Sequence, residues 1–252
     1  MSNRNPQSLW RFAAPQQFYP LAGKLAPGFA WLALILAIVG LYLGFWVAPS
    51  DAVQGQVYRV IYIHVAAAWM SMFIYLVMAF WSIVGFVLNT RLSALMAQAL
   101  APTGAMFCFV ALWTGALWGK PTWGTYWAWD ARLTSQLLLF FLYLGFIALT
   151  RAFDDPNRAD RAGQIISLIG AVNVPIIYFS VKWWNTLHQG ASVNLNKAPT
   201  MATTMLAGML LMAFAAWAYT IAVSLWRVRS LILERERHTN WVALELKRIE
   251  KE

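Results

Sequence analysis

The stretch VIYIHVAAAWMSMFIYLVMAFWSIVGFVL, from Val60 to Leu88, decides the fold class. Across its 29 residues there is no Lys, Arg, Asp or Glu. As an α-helix it rises about 43 Å, against roughly 30 Å of hydrocarbon in a bilayer. A run of this length with no polar face belongs in lipid, and the pattern repeats on both sides of it. Residues 29–48, 94–118, 133–150, 165–183 and 201–226 are each nearly free of charge and long enough to span. Backbone groups in lipid must be bonded internally, and the alternating ten-residue strands of a membrane barrel do not occur. The sequence therefore predicts an all-α polytopic membrane protein. It would have six transmembrane helices in a single membrane domain over residues 1–252, a tryptophan-rich loop at 118–135 and a tail at 227–252.

Composition agrees: 60% of the 252 residues are hydrophobic and 12% charged, where a soluble domain carries roughly a quarter charged. The net charge of +9 flanks the spans and forms no stripe on a soluble domain, which argues against a nucleic-acid partner. The run at 29–48 is too long for a signal-peptide core and is expected to be a retained first span. Six spans put both termini on one side. That side collects Arg4, Arg11, Lys24, Arg91, Arg151, Arg158, Arg161 and seven tail residues, fourteen in all, against Arg59, Lys120, Arg132, Lys182 and Lys197 opposite. By the retention of positive residues in the cytoplasm, both termini are expected to be cytoplasmic.

Pro102 and Pro175 fall inside the third and fifth spans, where kinks are expected. Val242, Leu246 and Ile249 share one face of a tail helix suited to a membrane surface or a partner. The lone Cys108 excludes an internal disulfide and reads as a packing residue. No phosphate-binding loop is present, so any ATP-driven step belongs to another chain.

The chain holds 15 Trp, more than two interfacial belts need. The segment WGKPTWGTYWAWDARLTS, Trp118 to Ser135, contains Trp118, Trp123, Tyr126, Trp127 and Trp129 with Asp130 and Arg132. So many aromatics in one connection predict a broad apolar platform for a large planar ligand. The segment KWWNTLHQGASVNLNKAP, Lys182 to Pro199, adds Trp183, Trp184 and His188. His188 and His64 lie on the same outer face; the third histidine, His238, is in the tail. Two imidazoles among aromatics suit the axial positions of a haem iron. Zinc would ask for a third protein ligand, a quinone pocket would use similar residues, and a hydrolase lacks an evident nucleophile.

These residues carry a resemblance. WGTYWAWDARLT, Trp123 to Thr134, resembles the WWD signature of haem-handling proteins in cytochrome c biogenesis. With RVIYIHV around His64, WWNTLHQG around His188 and the six-span layout, the chain from about Leu21 to Arg229 resembles the CcmC family of the bacterial system I pathway. The resemblance implies haem, as heme b, held at the periplasmic face of the inner membrane, with His64 and His188 as axial ligands and the WWD loop against the porphyrin. It implies delivery to the haem chaperone CcmE, in company with the ABC transporter subunits CcmA and CcmB and the small protein CcmD. It also implies no enzymatic activity of the chain's own; a haem lyase of the same superfamily is the alternative. On this reading Trp123, Trp127 and Trp129 form the apolar wall, while Trp118, Tyr126, Trp183 and Trp184 make further contacts. Asp130 and Arg132 are expected to pair and lock the loop. Arg59, with Lys120, Lys182 and Arg132 as rivals, is placed to meet a propionate.

Overall fold

The computed structural model describes residues 12–184, 186–188 and 199–250. Arg4, Arg11, Asn185 and Lys197, used above, lie outside the described residues. Among the described residues eight α-helices follow in order: α1 Pro15–Tyr42, α2 Ile61–Leu88, α3 Arg91–Trp123, α4 Ala131–Arg151, α5 Pro156–Ala171, α6 Asn173–Trp183, α7 Thr203–Arg235 and α8 Asn240–Ile249. A π-helical turn, Leu43–Val47, extends α1, and a 3-10 turn, Gln56–Val60, leads into α2. With these turns joined and α5 counted with α6, six helical segments are long and apolar enough to cross a membrane. No strand occurs among the described residues beyond one isolated bridge between Asp51 and Gly55.

Local chemistry sets the ends. Pro15 and Pro156 open α1 and α5, where a missing N–H costs nothing. Asp130 and Asp155 cap α4 and α5, accepting from the N–H of Leu133 and Asn157 at 2.8 and 3.0 Å. Gly124, at φ 80°, takes the left-handed conformation that ends α3. The fifth span breaks at Val172, between α5 and α6. Pro175 has no N–H for the carbonyl of Ala171 and its ring crowds that carbonyl, which weakens the helix at this point. The break is used: Asn173 is buried there and donates from Nδ2 to the carbonyl of Ser135 at 2.8 Å. Pro102, by contrast, lies within an unbroken α3.

Helices outrun the apolar segments read from sequence. α1 begins at Pro15 rather than residue 29, α3 continues to Trp123, and α7 continues through Arg235, so residues 227–235 are helix and not tail. Trp118 and Trp123 accordingly sit on α3, and only residues 124–130 form the loop.

Packing alternates up and down. Tyr19 near the start of α1 clusters with Leu92 and Leu95 of α3 and Val228 and Ile232 of α7. At the other end Ala48 clusters with Tyr58, Trp118 and Met205. Both described termini thus lie at one end. Between the ends, three buried tyrosines fill notches left by glycines: Tyr62 on Gly44, Tyr75 on Gly170 and Tyr143 on Gly104. Tyr75 and Tyr143 donate to the carbonyls of Ile166 and Ser71 at 3.1 and 2.7 Å, so the hydroxyls are satisfied at lipid depth. At the terminus end Asp160 of α5 accepts two hydrogen bonds from Arg235 of α7, at 2.9 and 3.0 Å, and one from Gln98 of α3 at 2.9 Å. Trp241 of α8 packs edge-on against Tyr19, with Val242 buried. Large apolar side chains such as Trp31, Ile38, Phe80, Phe141 and Ile169 stand exposed around the bundle, as a lipid-facing surface requires.

Candidate functional site

At the end away from the termini, six pieces of chain converge on a cleft: the first turns of α2, the last turns of α3, the loop 124–130, the first turns of α4, the first half of α6 and the segment 186–188. His64, His188, Trp118, Trp123, Trp127 and Arg132 line it, over a floor that includes Met72, Gln136 and Ile177. The cleft is open at its mouth, and its enclosed part holds only about 60 Å³.

The two histidines meet here although 124 positions separate them in sequence. Their ring centroids are 6.5 Å apart and their planes 30° from parallel. His64 is half-buried and held by three residues of α3. Its Nδ1 is 3.0 Å from the hydroxyl of Thr114. Gly115 gives it room, since a Cβ there would lie 3.0 Å from His64 Cε1. Trp118 meets its ring edge-on at 5.5 Å. Thr114, Gly115 and Trp118 share one face because they recur at helical spacing. Trp118 is itself fixed, donating from Nε1 to Gln54 Oε1 at 2.7 Å and packing against Tyr58. His188 lies 6.0 Å from the ring of Trp123.

Below, Gln136 is buried and donates from Nε2 to Ser71 Oγ at 2.9 Å and to Cys108 Sγ at 3.1 Å. Cys108 is thus a buried packing residue that also takes part in a polar contact inside the bundle.

The remaining expected residues divide. Trp127 lines the cleft, and its Nε1 is buried with no hydrogen-bond partner among the described residues. Trp129 packs edge-on against Trp127 but is 78% exposed, outside the cleft lining. Tyr126, Trp183 and Trp184 are also exposed and outside it. The aromatics therefore form walls and an outer rim rather than one flat platform. Asp130 and Arg132 do not form a salt bridge. Asp130 stands at the N-cap of α4, so Oδ1 is taken by Leu133, while Oδ2 accepts from the N–H of Leu187 at 3.2 Å. The loop is locked, but to backbone next to His188. Arg132 turns into the cleft, where its guanidinium has no hydrogen bond or salt bridge among the described residues. Arg59 turns away from it, donating to the carbonyls of Gly44 and Ala48 at the end of the first span and to Gln56 Oε1. Lys120 donates to the carbonyl of Gly124 at 3.1 Å, and Lys182 lies over the ring of Phe179. Sequence reading missed Thr114, Gly115 and Gln136, which are single small or polar residues inside apolar helices. No group of three or more His, Cys, Asp or Glu able to hold a metal ion occurs among the described residues.

The family model described as Heme exporter protein C, CcmC, matches residues 8–243. The chain belongs to this family. Proteins named Heme exporter protein C from Haemophilus influenzae and Escherichia coli K12 are each 45% identical to it, over 92% and 96% of this chain and 94% and 98% of their own lengths. One from Bradyrhizobium diazoefficiens is 47% identical over 88% of the chain and 84% of its own length. The CcmC match takes in all six pieces that build the cleft, so the site lies wholly inside the shared region.

Proposed function

We propose that this chain holds haem in the cleft at the end away from its termini and hands it to the haem chaperone CcmE for c-type cytochrome biogenesis. Membership of the Heme exporter protein C family supports haem as the cargo. The spacing of His64 and His188 carries the reading. Two metal–imidazole bonds of about 2 Å in line, with about 1 Å from each nitrogen to its ring centre, separate the centroids by about 6 Å. The observed 6.5 Å is of the size two imidazoles holding one iron would need.

The chain's own residues divide the work of binding. His64, at the start of α2, and His188, on a short segment tied down by Asp130, would each give a ring nitrogen to the haem iron. Trp123 and Trp127 wall the cleft against the macrocycle, and Trp118 braces His64 from behind. The free Arg132 guanidinium and the unpartnered Trp127 N–H are the donors suited to a propionate carboxylate. Arg59 acts instead by satisfying carbonyls where the first span ends. The exposed Tyr126, Trp129, Trp183 and Trp184 form the rim on which the chaperone docks. Because the cleft has an open mouth, an edge of the bound macrocycle stays within reach of that partner.

The cleft faces the periplasm and both termini the cytoplasm, on the distribution of Lys and Arg, in the inner membrane of a bacterium. The chain binds and presents haem without catalysing its attachment, within a complex that includes CcmA, CcmB and CcmD. Protein purified from a haem-replete host is expected to show a six-coordinate bis-imidazole spectrum, and His64→Ala or His188→Ala to lose or alter it. Unaltered spectra and undiminished loading of CcmE in both variants would overturn the assignment.

A further inference from the structure

A histidine can offer a lone pair to a metal from only one nitrogen at a time, and which one is set by the partner of the other. For His64 the proton can be counted. Its Nδ1 stands 3.0 Å from Thr114 Oγ1, a contact that either group could donate. The Thr114 hydroxyl has a single proton, and its oxygen is also 2.6 Å from the carbonyl oxygen of Val110, one turn back in α3. A carbonyl only accepts, so two oxygens at that distance require the hydroxyl proton between them. The hydroxyl is thereby left as an acceptor toward His64; the Ala111 carbonyl, 3.4 Å from the same hydroxyl oxygen and also a partner of the His64 ring, can only accept as well, so the count places the N–H on Nδ1. The Nε2 lone pair is then the free one.

We propose that Thr114 is a positioning residue that holds His64 as its Nδ1–H tautomer and so makes Nε2 the nitrogen presented to the cleft. The part of this statement that concerns haem rests on the function proposed above; the tautomer itself does not. The chain of bonds runs from the α3 backbone through the Thr114 hydroxyl to the imidazole, so the ring is indexed to the helix on which Gly115 and Trp118 also fix it. A hydroxyl is a neutral acceptor and leaves the imidazole less electron-rich than a carboxylate partner would. That suits a site that must release its cargo as well as hold it.

The test uses the whole protein in detergent, free of haem and labelled with ¹⁵N-histidine, with the imidazole neutral. The His64 resonances, assigned by their loss in His64→Ala, are expected to show a protonated Nδ1 and an unprotonated Nε2. Thr114→Val keeps the shape and removes the acceptor, and should move the ring to the other tautomer or a mixture; Thr114→Ser should restore the wild-type pattern. A wild-type ring protonated at Nε2, or a Thr114→Val variant with an unchanged tautomer, would overturn the proposal. On adding haem, Thr114→Val is expected to bind about 10- to 100-fold more weakly, with an altered axial-ligand signature, and Thr114→Ser near wild type. If His64→Ala left haem binding unaltered while the tautomer followed Thr114 as stated, the haem assignment would fail and the positioning role would stand.

Discussion

At the scale of single residues, the site depends on small groups that make room and on polar groups that make one bond each. Gly115→Ala tests the first kind. The added methyl would lie 3.0 Å from His64 Cε1, closer than packed carbons tolerate, so the ring must shift. The variant is expected to fold with an unchanged helical signal and to bind haem at least about tenfold more weakly, a sensitivity of the kind seen when groups supporting a ligand are disturbed; haem titration reads it. Asp130→Ala tests the second kind. It removes the cap of α4, worth about 1 kcal/mol of stability, together with the tie to Leu187 beside His188. The measurable consequence is faster haem release at a modest loss of thermal stability. These residues also mark where the sequence stopped being legible. Two histidines among tryptophans are rare enough to read at once, because imidazole and indole are costly ornaments in an apolar chain. A glycine or threonine in a transmembrane helix is ordinary, and only the position of the facing ring distinguishes Thr114 and Gly115. Asp130 could be singled out but its partner could not, since a capping carboxylate and an ion-paired one look alike until the helix start is known.

At the scale of elements, the spans were legible because twenty apolar residues have few other uses. Their ends were not, because a helix stops where its backbone finds a partner, not where hydrophobicity stops. Thus α3 carries Trp118 and Trp123 past the apolar stretch until Gly124 turns the chain, and α7 runs on until Asp160 has claimed Arg235. The break between α5 and α6 is the case in which a sequence signal and its use can be separated. Pro175 announces an interruption; that the interruption delivers Asn173 to the carbonyl of Ser135 was not readable. If delivery is its role, Pro175→Ala and Asn173→Ala should act through the same bond. Each is expected to lower stability by about 1 kcal/mol, the size of a hydrogen bond between membrane helices, and the double variant by little more than either alone. Thermal unfolding of the three proteins in one detergent checks this, and additive losses would count against it.

At the scale of the whole molecule the two ends of the bundle are built for different ends. The terminus end is closed by Asp160, whose carboxylate, 13% exposed, is shared by Arg235 and Gln98 so that α3, α5 and α7 are clamped together. Asp160→Asn is expected to cost about 2–3 kcal/mol, since Arg235 would stay largely buried without its counter-charge, while leaving the haem spectrum unchanged. The other end is open and poor in free positive charge. Of the basic residues counted there, Arg59 is engaged with carbonyls and Arg132 faces into the cleft, which leaves Lys120 and Lys182 at the described surface. The count of Lys and Arg in the sequence carries the orientation proposed above. It predicts the result of labelling from outside. Cys108 is fully buried and should not react with a membrane-impermeant maleimide, so it provides a silent background. A cysteine at the exposed Ala52, in the turn between the first two spans, should label in intact spheroplasts. A cysteine at Arg158, exposed at the start of α5, should label only after the membrane is opened. The reverse pattern would place the cleft in the cytoplasm, where a periplasmic chaperone could not reach it, and would refute the delivery mechanism even if both histidines bind haem.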